Sequence, residues 1–240
     1  MSSKILASCL VKPQSVRRNS FVWYDPSGLD VRMNSPRAHT AGYPTWMRWL
    51  SLVWLLVWLP AYWRTWGAVN FVHLCDVAMI LTCLGMWIDS PLLIASQTVN
   101  ALLVDFAWLL DASWMIFLHH PLFGGNEFLL DPRYPLWVRT LTIFHIVLPA
   151  VQLWGLARFG YDRRGYALQC AIALPVFIAA RFTPPAKNID FAFTDPFLHV
   201  QWGPAPVHVL ISWLFMVVVI YLPTHLFLKR LFPPPQLQSL

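Results

Sequence analysis

Six apolar stretches divide the chain, at roughly 46–63, 69–88, 92–118, 135–157, 166–183 and 207–228. Each is long enough, or nearly so, for a helix rising 1.5 Å per residue to cross a hydrocarbon core about 30 Å thick. The pattern predicts an all-α fold, a polytopic membrane helix bundle of about six transmembrane helices within residues 43–231. The first stretch is the shortest and carries Pro60 near its end. The third is the longest and is expected to tilt or kink. Pro149, Pro175 and Pro223 are expected to kink their helices, which frees backbone carbonyls and makes room for cavities. Residues 1–42 lack any sustained period and hold Lys4, Lys12, Arg17, Arg18, Arg32 and Arg37. They read as a disordered basic tail able to touch anionic headgroups. Residues 232–240 form a short C-terminal tail.

Composition sharpens the class. Of 240 residues, 58% are hydrophobic and only 12% charged, against about 25% charged in soluble domains. Many of the 14 Trp stand at segment ends, where an indole straddles tail and headgroup. The four Cys show no framework spacing and no CxxC, so neither a disulfide scaffold nor a thiolate metal site is expected. The net charge of +6 points to topology rather than nucleic acid. Basic residues concentrate in the N-terminal tail, at Arg158, Arg163 and Arg164, and at Lys229 and Arg230. Fewer fall on the opposite side (Arg64, Arg133, Arg139, Arg181, Lys187), which predicts that both termini are cytoplasmic. The two longer loops, 119–134 and 184–206, then lie on the non-cytoplasmic side as entrance caps or plain connectors. The expected setting is an integral, multi-pass membrane protein, with membrane lipids as environment and possible substrate.

Ionisable groups inside apolar spans need a reason, because an Asp at mid-membrane costs about 2.5 kcal/mol or more on insertion scales. His73-Leu74-Cys75-Asp76 opens the second span. With the predicted orientation, Cys75 sits about 9 Å into that span and His145 about 15 Å into the fourth, at helical rise. Asp105, Asp111, Arg181 and His208 also fall between the midplane and the outer face. One polar cavity opening outward is therefore expected. Asn70, His73 and Asp76, at i, i+3 and i+6, share a helix face, and His73 can bond Asp76 or Asn70. Cys75 then points about 200° away from His73, so its base must come from another helix, and His145 matches it in depth. A thiolate nucleophile needs such a His, and the His needs an orienting Asp. Cys75, His145 and either Asp105 or Asp76 supply these parts. Asp111 and Arg181 are expected to pair or to face loop water, and His208 to make one interhelical hydrogen bond.

The run from Asn70 to Asp76, with Phe144-His145 ahead of Ile-Val-Leu-Pro149 and with Tyr221-Leu222-Pro223, resembles the YwaF-like family of small integral membrane proteins. That family is similar to membrane acyltransferases and lipid-ester hydrolases with an intramembrane Cys/His or Thr/His pair. The resemblance implies a nucleophile at Cys75 and its partner at His145.

Three functions follow. The first is an intramembrane acyltransferase or lipid-ester hydrolase built on Cys75 and His145, with Asp105 behind them and no cofactor. The second is a non-enzymatic accessory or assembly subunit whose His73, His145 and His208 bind a partner helix, haem or quinone. The third is a proton-linked transporter using Asp105 and Asp111.

Overall fold

The computed structural model describes residues 42–233; the expected basic tail and most of the C-terminal tail lie outside them. The described residues are helical, with no strand among them. In chain order the helices are α1 (Thr45–Trp66), α2 (Leu74–Trp87), α3 (Pro91–Leu118), α4 (Leu136–Phe159), α5 (Arg164–Ala180) and α6 (Ala205–Leu231). They fall on the six apolar stretches. Three of them, α3, α4 and α6, are long and apolar enough to cross a membrane, while α2 and α5 are shorter apolar helices.

Helix α3 is the axis, packing against α2, α4 and α5 and touching α6. Ser90 starts it, its side chain accepting from the Leu93 N–H at 3.2 Å, and Pro91 occupies the first helical position, where its missing N–H leaves nothing unpaired. Its inward face is small and polar: Ala95, Ser96, Gln97, Thr98, Asn100 and Ala101 are all buried. Opposite, α5 buries Gly165, Gln169 and Ala173 one turn apart. Small residues at this spacing let two backbones approach closely.

The outward faces are apolar. Leu56, Phe106, Phe117, Leu136, Phe182 and Val218 are all exposed.

The prolines act differently from one another. Pro149 and Pro175 sit inside continuous helices. Pro223 follows a π-helical segment, Met216–Tyr221, inside α6. The wider turn shifts the register just where a Pro cannot donate its bond.

The second apolar stretch is not one helix. Ala68–Val72 forms a 3₁₀ turn, His73 is extended (φ −60°, ψ 135°), and α2 begins only at Leu74. Apolarity persists through the break, so the hydropathy pattern does not register it.

Candidate functional site

Asp105 and His145 meet in the core between α3 and α4. The His145 Nδ1–H donates to Asp105 Oδ1 at 2.7 Å, with the side chains 6% and 0% exposed. The imidazole lies between two aromatic rings, Trp108 at 4.2 Å and Phe144 at 4.1 Å between centroids, both stacked. Trp108 stands one turn beyond Asp105 on α3, so a single helix face supplies the carboxylate and the stacking wall. The pair fixes the ring's tautomer and orientation and leaves Nε2 as its open nitrogen. Asp105 Oδ2 is buried without a hydrogen-bond partner among the described residues.

Cys75 occupies the first turn of α2 and is half-buried. It packs against the apolar cluster of Trp58, Ala78, Phe144 and Leu148, which places it on the cluster that backs His145. No hydrogen bond joins the two among the described residues. The thiol turns instead to Asp76 Oδ1, 3.8 Å away. Asp76, buried on the same turn, accepts from Asn70 Nδ2 at 2.8 Å through its other oxygen.

Helix α2 also presents its unpaired amides here. The first intrahelical bond runs from Val77 N to His73 O at 3.0 Å, so three N–H groups precede the ladder; Leu74 N–H donates to Asp190 Oδ2, and those of Cys75 and Asp76 have no hydrogen-bond partner among the described residues.

Three expectations are corrected. His73 does not pair with Asp76 or Asn70. It lies outside the helix, and its Nδ1 sits 3.5 Å from Asp190 Oδ1. The shared face assumed helical geometry that residues 68–73 do not have. Asp111 and Arg181 do not pair, because each holds a different loop. Asp111 accepts from the Leu122 and Phe123 N–H groups, both at 2.6 Å, and from Asn126 Nδ2 at 2.7 Å. Arg181 donates to Ala192 O at 2.9 Å and Gln201 Oε1 at 3.0 Å, with Phe193 under its guanidinium. His208, fully buried, uses both ring nitrogens on the second loop: Trp202 N–H donates to Nδ1 at 3.0 Å, and Nε2–H donates to Phe191 O at 3.0 Å. Its bonds go to a loop, not to another helix.

The two long loops are therefore pinned onto the helix ends. Phe123 of one meets Phe197 of the other at 6.3 Å, and Lys187 donates to Trp66 O at 2.6 Å. Both loops sit at the end of the bundle that holds Cys75.

A buried polar chain crosses the bundle beneath. Gln97 donates to Gln169, Gln169 to the Tyr221 hydroxyl, and Tyr221 to Asn100 Oδ1 at 3.0 Å. Asn100 Nδ2 donates to Leu74 O at 2.8 Å. Residues missed at the level of sequence are Trp108 and Asp190. Trp108 was open to recognition from its i, i+3 spacing to Asp105. A loop Asp carries no such signal.

Among the described residues, no group of three or more His, Cys, Asp or Glu side chains is arranged to hold a metal ion. No family model, curated protein or solved structure matches this chain.

Proposed function

We propose that this chain is a six-span membrane protein with both termini cytoplasmic, and that it carries out acyl transfer on lipid esters with Cys75 as nucleophile and His145 as base. The supporting observation is the 2.7 Å bond from His145 to Asp105, which leaves Nε2 open in the manner a general base requires. The orientation rests on the distribution of cations. Tyr161 ties the α4–α5 turn to the end of α6 through its hydroxyl on His225 Nδ1 at 2.7 Å and its N–H on Phe232 O at 3.0 Å. Arg158, Arg163, Lys229 and Arg230 thus gather at one end, opposite the two long loops.

In the proposed reaction, Cys75 Sγ attacks the ester carbonyl as its proton passes to His145 Nε2. The Cys75 and Asp76 N–H groups at the start of α2 supply donors for the oxyanion. The tetrahedral species collapses to a Cys75 thioester, and His145 returns the proton to the departing alkoxide. Water or a lysolipid hydroxyl then attacks the thioester with His145 again as base, which regenerates the thiol. The thiol faces Asp76 Oδ1, and catalytic contacts of this kind commonly tighten only with substrate bound. Cys75→Ala is expected to abolish lipid-ester turnover by purified protein in mixed micelles while leaving expression intact, and His145→Ala to abolish it together with a loss of stability. Full turnover by Cys75→Ala would end the proposal.

A second reading draws on the unpartnered Asp105 Oδ2. An intramembrane carboxylate with an open oxygen is a proton site, as in proton-linked transport. Proton flux into proteoliposomes that survives Cys75→Ala but not Asp105→Asn would favour it. The haem form of the accessory-subunit reading loses support, because His208 has both nitrogens engaged.

A further inference from the structure

The start of α2 lacks a cap of its own. His73 occupies the N-cap position, and its side chain makes no capping hydrogen bond. The bond comes from elsewhere: Leu74 N–H donates to Asp190 Oδ2 at 3.0 Å, from a loop residue 116 positions away in sequence. The other Asp190 oxygen faces His73 Nδ1. The Leu74 carbonyl is held at the same time by Asn100 Nδ2 at 2.8 Å. The residue before Cys75 is therefore gripped at its N–H by a loop and at its C=O by α3.

The loop bears strain to present that carboxylate. Asn188, Asp190 and Phe191 all have positive φ, at 41°, 48° and 57°, a region that non-glycine residues occupy only when their surroundings over-determine them. Here they do. The Asn188 side chain accepts from the Phe193 and Thr194 N–H groups and donates to Thr194 O. His208 holds Phe191 O, and Arg181 holds Ala192 O. Ile189 and Ala192 are fully buried on either side of Asp190 and Phe191. Such an arrangement exceeds what a connector needs.

We propose that Asp190 is the N-cap of α2 supplied in trans, and hence a positioning residue for Cys75. It sets the entry angle of the first helical turn and so the place of the thiol relative to His145. An aspartate there also complements the positive end of the helix dipole. The positioning role rests on Cys75 as nucleophile, while the cap itself does not.

The experiment uses full-length protein in nanodiscs, with Leu74 and Cys75 amide exchange followed by NMR. Both amides lie ahead of the helical ladder, so without Asp190 they would exchange alike. In the wild type, Leu74 is expected to exchange about tenfold or more slowly than Cys75, as suits a hydrogen bond to a carboxylate. Asp190→Ala should erase the difference, and Asp190→Asn, which keeps an acceptor oxygen, should restore it. On a background with Cys9, Cys83 and Cys170 changed to Ser, the rate of Cys75 alkylation by iodoacetamide should change in Asp190→Ala and return in Asp190→Asn. Equal exchange of the two amides in the wild type overturns the cap, and decides the matter even if Asp190→Ala does not fold. Lost Leu74 protection with unchanged alkylation overturns the positioning role. A protected Leu74 in a protein with no lipid-ester turnover leaves the cap standing and removes the proposed reaction instead.

Discussion

Removing the His145 ring strands a carboxylate that already has one oxygen unpartnered. Breaking one side of a buried pair costs about 3–5 kcal/mol, whereas replacing both partners by apolar residues is often neutral. His145→Ala should therefore lower the unfolding free energy in detergent by about that amount, and Asp105→Leu with His145→Leu should recover most of it. A small loss in His145→Ala would mean that the pair does not bear on stability. Asp195 gives a pH handle outside the spans. Backbone N–H groups of Leu198, Val200 and Phe197 hold its carboxylate below the ordinary value. A depressed folded-state value contributes stability that is present above the unfolded value and lost as pH falls through the folded one. The amides of Phe197, Leu198 and Val200 should thus be protected at neutral pH and lose protection only below the usual carboxylate range. At this scale the sequence was informative where burial makes polarity costly. Asp105 and His145 stood out because lipid penalises them. Asp190 did not, since an Asp in a loop is ordinary until the loop is seen folded onto α2.

The helices repeat that contrast. Their number and approximate extent were legible, because twenty apolar residues have few alternatives. Where α2 starts was not, because a 3₁₀ turn and an extended His73 are as apolar on average as the helix that follows. The expected shared face of Asn70, His73 and Asp76 failed for this reason, though Asn70 still reaches Asp76. The π segment was equally hidden, and it precedes Pro223 and ends at Tyr221, whose hydroxyl donates to Asn100. The contact between α3 and α5 offers a direct test of packing at this scale. A Cβ on Gly165 would meet Ser96 N at 2.8 Å and Ala95 C at 2.9 Å, which are backbone atoms that cannot swing aside. Gly165→Ala is expected to destabilise by about 1–3 kcal/mol through overpacking, read as a lower melting temperature. Gly125→Ala serves as the loop control, because its Cβ would meet nothing within 4 Å and only the backbone strain of its φ of 94° would register.

For the whole molecule, Cys75 and both long loops lie at one end of the bundle, so the proposed reaction depends on orientation. Reporter fusions at the C-terminus and within the 119–134 loop should report opposite sides, cytoplasmic for the first and non-cytoplasmic for the second. The same side for both would remove the six-span arrangement. Substrate would then reach the site from the outer leaflet, and the acyl group would pass through a thioester on a residue at the mouth of α2. The proposed reaction stands or falls on that intermediate. It is measured most directly by incubating the protein with a phospholipid carrying an alkyne-tagged acyl chain, followed by peptide mass spectrometry with and without hydroxylamine. A hydroxylamine-labile acyl group is expected on Cys75 in the wild type and is expected to be lost in His145→Ala. Acylation that is absent from the wild type, or undiminished in His145→Ala, would contradict the proposed reaction.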